Sequence, residues 1–594
     1  MPSLSLNREV AASPAAVEHV SVTTRLKTLT EAILSRRAPV GHRCCMACEG
    51  TGRLFLRRRK HAAQVEGVAA PPPPPPPETQ CSICGGIGLL ERDHTVARKQ
   101  QARPPSPDNS ERVNDVLGGP TVAIVGGGIG GVALALALEQ RGMRAVVYER
   151  DPSFFSRAQG YGLTLQQGSS AIAALGLTAD AEAEGSRSTC HVAMSAKGTV
   201  IGRHGAAART PHRAADKDGS SGGDGGDGGG GGGGGGTSVA AARRRNLHLP
   251  RQSLRALLCA RLDRDTVRWN HRFDGCAVEA DGRLKLSFNG GKLRTVADVL
   301  VGGDGIRSGV RRVLEDAVGP GGASMPEAAS STPPPDDVAP TSSSGLRSLH
   351  TMVILGYSAC EHELCANSDR VFELVDGESR LYAMPFSPPP ESTTMWQLSF
   401  PMPSAHGHAL ARAGGGALLA EALRRCGGWA APLPELLRAT CAADVTGYPV
   451  YDRAIGDRLS PGGGAASSSA VSLRATLLGD AAHPMAPFKA QGANQALIDA
   501  VDLARALYDS ALGDEAAAAN AQLSSPEENG VRRRRRRSGR AVSAAIAAYE
   551  ASAAPRAAAK VEASRSAAAL LHSPAALVVA EEALTRAAAA RRAT

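Results

Sequence analysis

The sequence predicts an α/β fold, in which a three-layer, Rossmann-like nucleotide-binding domain is interleaved with a β-rich domain and followed by a helical segment. Three observations predict it. An apolar run ends in a glycine-rich turn and leads into helix-like sequence, two later apolar runs end in paired Gly and Asp residues, and residues 541–592 are Ala-rich with helical spacing. Two Cys-x-x-Cys pairs ahead of these features predict a small additional module at the amino-terminal side.

The composition fits a folded chain with long insertions. Of its 594 residues 42% are hydrophobic and 3% aromatic, which is enough for a large core. The net charge of +10 is concentrated in part in six consecutive arginines at 532–537. We interpret that run as a solvated loop, with a nuclear-targeting or acidic-partner patch as the alternative. The total charge therefore gives no reason to expect nucleic-acid binding.

The twelve cysteines bear on the compartment. Five of them lie between Cys44 and Cys84, a distribution typical of a reducing compartment with one metal site. Residues 121–138 carry no charge and have the length of a membrane span, but five glycines in a phosphate-binding pattern argue against stable membrane insertion. Acidic residues within 1–43 count against a transit peptide, so we expect an intracellular protein, cytoplasmic or plastid.

Changes in composition divide the chain. We predict a disordered leader with one short helix near 26–35, a paired cysteine module, a polar linker, the first part of the nucleotide-binding domain, a substrate-domain sheet, and a second part of the nucleotide-binding domain with C-terminal helices. Their respective ranges are 1–43, 44–90, 91–118, 119–315, 345–445 and 446–575. Low-complexity insertions at 202–245, 319–344, 461–469 and 513–540 are expected as surface loops, because such sequences bury too little apolar surface to fold.

The first motif is a Gly-x-Gly-x-x-Gly turn formed by Gly126, Gly128 and Gly131. It follows the apolar run 122–125 and precedes a helix-like segment. The first glycine allows a tight turn, the second lets a diphosphate approach the backbone, and the third lets helix and strand pack closely. A second apolar run ends at Glu149, 18 residues beyond Gly131, where an acid can bind the 2′-hydroxyl of an adenosine ribose.

Two later motifs distinguish a flavin from a nicotinamide domain. The run 297–303 leads into Asp304 and Gly305, and the run 475–478 leads into Gly479 and Asp480. A carboxylate at the end of a buried strand can accept hydrogen bonds from a polyol chain. Free backbone N–H groups at Ala493 and Asn494 lie at the predicted start of a helix, and the positive end of that helix can face developing negative charge.

With these three motifs in order, residues 121–575 resemble the class A flavoprotein monooxygenases, the group of p-hydroxybenzoate and salicylate hydroxylases. The resemblance implies non-covalent flavin adenine dinucleotide (FAD), NAD(P)H as the electron donor, and O2. It also implies hydroxylation of a small, often aromatic, substrate through a flavin C4a-hydroperoxide. No side chain is assigned as catalytic, since the cofactor activates oxygen in such enzymes.

The resemblance also assigns roles to individual residues. Glu149 would hold the ribose, Asp304 and Gly305 would lie near the diphosphate, and Asp480 would bind the ribityl chain. Arg157 and Arg251 match basic positions near FAD. Gly492, Ala493 and Asn494 match the backbone that approaches the isoalloxazine ring. Ala490 stands where the family usually has glycine, so the local backbone is expected to differ there.

The substrate region is expected between the second and third motifs, where several short apolar runs predict a sheet. Tyr357, Tyr382, Trp396 and His483 are candidate substrate contacts, although core packing is the commoner role of such residues. Other members of the same fold, a halogenase or a reductase, are alternatives, but the three tryptophans do not form the Trp-x-Trp pair of halogenases. An interaction protein with an inactive flavin domain is a further alternative.

The amino-terminal cysteines repeat one pattern, Cys-x-x-Cys-x-Gly-x-Gly, in the pairs Cys45 and Cys48 and Cys81 and Cys84. Two such turns can place four thiolates around Zn²⁺. The pattern resembles half of the zinc-finger region of DnaJ-type chaperones, which implies a structural or protein-binding module. The alternatives are unstructured cysteines in a Pro-rich leader and a redox pair that serves the flavin.

Overall fold

The computed structural model describes residues 22–35, 120–156, 161–205, 246–316, 345–365, 368–387, 393–456, 459–460, 474–521 and 527–578. It also describes the backbone of four short strands between residues 42 and 91. For residues 204–205, 512–521 and 527–538 the backbone alone is described.

A five-stranded parallel sheet forms the centre of the first lobe. Its strands, in spatial order, are β12 (Val267–Arg268), β6 (Ala145–Tyr148), β5 (Val122–Val125), β16 (Val299–Gly302) and β22 (Ala475–Leu477). All residues of the two central strands, β5 and β16, are buried, as expected for a parallel sheet that is covered on both faces. The continuous apolar runs seen in the sequence reflect this burial.

Helices and two small sheets surround this parallel sheet. The helices are α2 (Ile129–Glu139), α3 (Gly168–Ala174), α4 (Thr178–Glu184), α5 (Arg251–Arg261) and α6 (Gly309–Asp316). One small sheet has the order β7 (Gly162–Leu165), β11 (Asn246–Pro250), β8 (Ser186–Ser188), and the other β13 (Phe273–Val278), β14 (Leu284–Phe288), β15 (Leu293–Ala297). Ten of the eleven α2 residues are buried, so this helix packs inside the core instead of on its surface.

A seven-stranded sheet forms the second lobe. Its spatial order is β10 (Val200–Gly205), β9 (Cys190–Ser195), β18 (Arg370–Val375), β19 (Arg380–Pro385), β20 (Thr394–Pro401), β17 (Arg347–Ser358) and β21 (Thr446–Asp452). The helices α7 (Ser404–Arg412), α8 (Gly415–Cys426) and α9 (Leu433–Arg438) follow β20 in the chain. The predicted sheet therefore exists, but it extends beyond 345–445, since β9 and β10 join it from one side of that range and β21 from the other.

Two long helices, α10 (Gly492–Ala521) and α11 (Glu527–Leu571), close the described chain. The expectation of a loop across 513–540 is wrong for residues 513–521 and 527–540, whose backbone is helical. Residues 522–526 lie outside the described residues. The glycines at 513, 530 and 539 suggested a loop, but the Ala and Arg residues between them are strong helix formers. No helix in the described part of the chain is long and apolar enough to cross a membrane.

The amino-terminal side differs from a wholly disordered leader. Helix α1 (Val22–Ser35) packs along α5, and Ile33 is 3% exposed. Farther along, β1 (His42–Cys44) pairs antiparallel with β4 (Leu89–Glu91), and β2 (Arg53–Phe55) pairs with β3 (Glu78–Gln80). The four predicted zinc ligands, Cys45, Cys48, Cys81 and Cys84, lie outside the described residues.

Candidate functional site

The three motifs lie at the carboxyl edge of the parallel sheet, directly after the adjacent strands β5, β16 and β22. The Gly303 N–H donates to the Val125 carbonyl at 2.8 Å, and the Leu478 N–H donates to the Gly302 carbonyl at 2.9 Å. These bonds bring together motifs that are far apart in sequence. Open parallel sheets bind ligands in the crevice outside their carboxyl ends, so this edge is the candidate site.

The glycine-rich turn has the shape of a phosphate cradle. Gly126 has a φ of +107°, and a Cβ atom there would lie 2.4 Å from the Gly303 carbonyl oxygen. A Cβ at Gly131 would lie 2.1 Å from the Gly126 oxygen, so neither position accepts a larger residue. Gly128 begins α2 without a side-chain cap and has free space around it. The uncapped helix start therefore fits a diphosphate group.

Glu149 lies at this turn, at the end of β6. Its carboxylate accepts hydrogen bonds from the Gly127 N–H at 2.6 Å and the Asp151 N–H at 3.0 Å. Sequence reasoning missed Arg255, a buried residue whose Nε donates to the Gly127 carbonyl at 2.7 Å. Burial lowers the pKa of Arg255. Its position one helical turn after Arg251, on the same helix, could have indicated that Arg255 also lies near the glycine-rich turn.

Asp304 has a local structural task. Its carboxylate accepts from the Gly309 N–H at 2.7 Å, the Val310 N–H at 3.2 Å and the Ser308 hydroxyl at 2.5 Å, so it caps the start of α6. Burial raises the pKa of Asp304, while these hydrogen bonds oppose the rise. The neighbouring Gly305 has a φ of +83° and borders open space.

Asp480 of the first lobe lies at an exposed position within electrostatic range of Tyr448 of the second lobe, so it lies near the junction of the two lobes. Burial among protein atoms raises the pKa of Asp480, whereas His483 and Arg251 oppose the rise. Its side chain is nevertheless exposed to solvent. Tyr161 and Tyr448 lie in the electrostatic range of both Arg251 and Asp480. We refer to the space bounded by Tyr161, Arg251, Tyr448 and Asp480 as the interlobe cleft.

The first turn of α10 lies against this cleft. A Cβ at Gly492 would lie 3.7 Å from Asp480 Oδ1, so the two predicted residues are neighbours. The side-chain amide of Asn494 forms four hydrogen bonds with the backbone. Its oxygen accepts from the N–H groups of Gln166 and Gly168, and its nitrogen donates to the carbonyls of Thr164 and Ala490. Asn494 therefore holds the helix start to the segment around β7.

Ala490 precedes this helix start in the left-handed conformation, with φ 51° and ψ 36°. Left-handed backbone costs an L-residue about 1–2 kcal/mol relative to glycine. The monooxygenases that the sequence resembles usually have glycine at this position, where the backbone is left-handed. This chain adopts the same type of conformation with an alanine.

The candidate substrate contacts divide into two groups. Trp396 is fully buried in the core, where its indole donates to the Thr440 hydroxyl at 2.9 Å. His483 is also fully buried, and its Nε2 lies 2.5 Å from Asp499 Oδ2. Burial alone would lower the pKa of His483, but Asp499 outweighs this effect and the pKa is raised. Tyr357 and Tyr382 instead pack in or against an apolar cluster on the inner face of the seven-stranded sheet.

Two sets of predicted residues cannot be placed. Arg157 and the four paired cysteines lie outside the described residues. Within the described part of the chain, no group of three or more His, Cys, Asp or Glu side chains could hold a metal ion.

Comparison with known proteins identifies the nucleotide. The family model described as FAD binding domain matches residues 120–332 and 471–527, the ranges that contain all three motifs. The chain is 26% identical over 393 residues to aurachin C monooxygenase/isomerase of Stigmatella aurantiaca, an alignment that covers 66% of this chain and 81% of the relative.

Solved structures show the same fold. Klebsiella pneumoniae HpxO, complexed with FAD and uric acid, is 20% identical with a TM-score of 0.53, and the match covers 76% of this chain and 89% of HpxO. Pseudomonas aeruginosa PqsL, in complex with 2-aminobenzoylacetate, is 22% identical with a TM-score of 0.52, covering 77% of this chain and 99% of PqsL. The predicted α/β fold with an FAD-binding domain is confirmed, and the protein is an FAD-dependent oxidoreductase of the monooxygenase type.

Proposed function

We propose that the protein hydroxylates a small aromatic compound in the interlobe cleft, with NAD(P)H as the electron donor and O2 as the oxygen source. The observation that carries the proposal is the composition of the cleft, where two tyrosine rings lie beside one cation, Arg251, and one carboxylate, Asp480. Apolar side chains on the facing sheet, among them Met384 and Phe386, provide a dry surface suited to a planar ring.

Bound FAD supplies the redox chemistry, namely acceptance of electrons from a nicotinamide and activation of O2. The chain positions it. The uncapped start of α2 would hold the diphosphate, Glu149 the adenosine ribose and Asp480 the ribityl hydroxyls. The N–H groups of Gly492, Ala493 and Asn494 would face the ring and stabilise negative charge that develops on it. Arg157, Arg251, Asp304 and Gly305 complete the proposed FAD-binding set.

The relatives support a ring-shaped substrate. HpxO binds uric acid and PqsL binds 2-aminobenzoylacetate. One short local match, 47% identical over 64 residues and 14% of the relative, is to 3-amino-4-hydroxybenzoate 2-monooxygenase of Streptomyces cremeus. These compounds share an unsaturated ring with amino or oxygen substituents, which is the substrate class that we propose.

The decisive experiment combines cofactor retention with substrate-stimulated NAD(P)H oxidation. We expect the purified protein to carry FAD, and Asp480→Ala to lower its FAD affinity roughly 10- to 150-fold, since a charged hydrogen-bond acceptor contributes about 1.5–3 kcal/mol. Asp263→Ala, at an exposed carboxylate, is the matched control. A panel of amino- and hydroxybenzoates should include compounds that accelerate NAD(P)H oxidation and are recovered with one added oxygen. Full FAD occupancy in Asp480→Ala would remove Asp480 from the proposed site.

We further propose that the cysteine module, residues 44–90, binds Zn²⁺ through Cys45, Cys48, Cys81 and Cys84. The strand pairing supports this, because Cys44 pairs with Leu89 and Arg53 pairs with Gln80. The strands that flank the two Cys-x-x-Cys segments therefore pair with each other. The module would serve as a binding surface for a protein partner.

Metal analysis of the full-length protein tests the zinc proposal. The parent should contain one Zn²⁺ per chain, Cys81→Ser should lose it, and both should keep FAD. Cys441→Ser is the control, because Cys441 is an exposed free cysteine in the second lobe. Parent protein without zinc, or zinc retained in Cys81→Ser, would contradict the proposal.

A further inference from the structure

Helix α1 lies outside the ranges matched by the FAD-binding family, yet it is integrated into both lobes. Its inner face consists of Val22, Leu26, Leu29 and Ile33, which are spaced by about one helical turn. Ile33 belongs to the core of the FAD lobe, and the partly buried Leu29 packs against that core. Val22 and Leu26 pack instead against the apolar cluster on the inner face of the seven-stranded sheet. The helix therefore spans the joint between the lobes.

The amino end of α1 is fixed by a residue of the second lobe. Asp444, which is 4% exposed, accepts hydrogen bonds from the Val22 N–H and the Thr23 N–H, both at 2.9 Å. A carboxylate at this position satisfies two of the N–H groups that a helix start leaves free, and it interacts favourably with the helix dipole. Asp444 thus acts as a capping residue supplied from more than four hundred residues away.

An unsatisfied hydroxyl lies beside this anchor. Tyr357 is 3% exposed, its ring lies 4.4 Å from that of Phe386, and its hydroxyl has no hydrogen-bond partner in the described part of the chain. Asp444 and Tyr161 are both close enough to act on it electrostatically. Tyr357 belongs to the apolar cluster against which both Tyr161, a residue of the interlobe cleft, and Leu26 of α1 pack.

The same apolar cluster also reaches the third motif. Ala486 is a member of the cluster, and Phe488 packs against it, as do Val22 and Leu26 of α1. Ala486 and Phe488 belong to the segment that connects Asp480 with the start of α10. The first half of α1 therefore covers the layer of side chains that adjoins the proposed ring-binding position.

We propose that α1 closes one end of the interlobe cleft, with Leu26 as part of its wall and Tyr357 as the polar group that meets a substrate there. The substrate would be a largely apolar ring with one hydrogen-bonding substituent opposite the Tyr357 hydroxyl. This assignment makes Leu26 and Tyr357 specificity-determining residues, and its substrate part rests on the proposed hydroxylation.

The test compares two leucines of the same helix in the full-length, FAD-loaded protein. Leu26→Ala alters the half of α1 that adjoins the cleft, and Leu29→Ala is its matched control on the half that packs in the FAD lobe. The readout is the rate at which dithionite bleaches the bound flavin. We expect Leu26→Ala to raise this rate several-fold and Leu29→Ala to leave it near the parent value. Equal rates in the two variants, raised or unchanged, would overturn the proposal.

Asp444→Asn provides a second variant that keeps side-chain volume. It removes the charge that holds the amino end of α1, so bleaching should again accelerate, and an unchanged rate would contradict the role of the anchor. This readout needs no turnover, so it stands apart from the proposed hydroxylation. Where compounds stimulate NAD(P)H oxidation, Leu26→Ala should shift kcat/KM towards bulkier rings relative to the parent and to Leu29→Ala. An unchanged order of substrates would remove Leu26 from the wall.

Discussion

At Ala490 the chain holds a residue with a Cβ atom in the left-handed conformation, at φ 51°. The position follows a short turn that starts at Pro487, and Ala490 accepts a hydrogen bond from the side-chain amide of Asn494. The strained backbone is thus fixed by the same amide that holds the start of α10. Strain of this kind persists only where surrounding contacts determine the conformation.

Replacing Ala490 with glycine should relieve this strain. Relief of about 1–2 kcal/mol, less the unfolded-state entropy of about 0.4–1 kcal/mol that glycine adds, predicts a net stabilisation of roughly 0.5–1 kcal/mol. Urea unfolding of the FAD-loaded protein measures it. Ala486→Gly, at a buried position with φ −61°, is the control and should destabilise. A loss of stability in Ala490→Gly would show that the left-handed backbone is not strained.

At the scale of the elements, helix α11 stabilises the third motif through hydrogen bonds to α10 and to strand β22. Arg556 donates to Asp499 Oδ1 at 3.0 Å, and Asp499 Oδ2 accepts from the Gly479 N–H at 3.1 Å. Helix α11 is therefore linked to the turn that carries Asp480 through one residue of α10, Asp499. Tyr549 of the same helix donates to the Leu477 carbonyl at 3.2 Å, in the strand that leads into that turn.

Arg556→Gln tests this support. Asp499 is 1% exposed, and in Arg556→Gln it keeps only one of its two cationic partners, His483. The loss of the other should destabilise the protein by about 1.5–3 kcal/mol, since hydrogen bonds to charged groups are strong. FAD affinity should fall as well, because the Gly479 turn loses its fixed position. Glu562→Gln, on an exposed position of the same helix, should change neither quantity. Thermal unfolding with and without added FAD separates the two effects.

Elements that appear in the sequence as one continuous pattern could be predicted. Elements whose position depends on residues far away in the sequence could not. Strands β5 and β16 are buried throughout, so each appears in the sequence as an unbroken apolar run beside its glycine motif. The docking of α1 depends on Asp444 and α5, which no local pattern reveals. Similarly, the capping role of Asp304 and the position of Arg255 below Gly127 depend on backbone geometry that spacing does not specify.

On the scale of the whole molecule, His248 lies where a small sheet of the FAD lobe meets the second lobe. It is fully buried, with Nδ1 3.0 Å from the Thr164 hydroxyl and Nε2 2.7 Å from the Ser188 hydroxyl. Burial lowers the pKa of His248 to about 4, and His191 of the seven-stranded sheet adds to the effect. The folded protein therefore keeps this ring neutral at pH values where an unfolded chain would protonate it.

This difference predicts a loss of stability in acid. The pKa of His248 is lower in the folded state, about 4, than its ordinary value of 6.5. The contribution of His248 to the free energy of unfolding is therefore fully present above pH 6.5 and is lost as the pH falls towards 4. The shift corresponds to roughly 3 kcal/mol. His248→Gln should show a flatter decline in unfolding free energy across this range, measured by urea titration at several pH values. Parallel declines in both proteins would refute the assignment.

The docking of α1 has a consequence for a chain that has been cut. Because Val22, Thr23 and Ile33 are held by the two lobes, the continuity of the chain between Ser35 and Pro120 is not what keeps α1 in place. A nick introduced anywhere in that interval should leave two polypeptides that remain together through size-exclusion chromatography and separate only in denaturant. When the cut lies between residues 91 and 119, the cysteine module would stay attached to the enzyme through the helix that precedes it, as part of one half of a split protein.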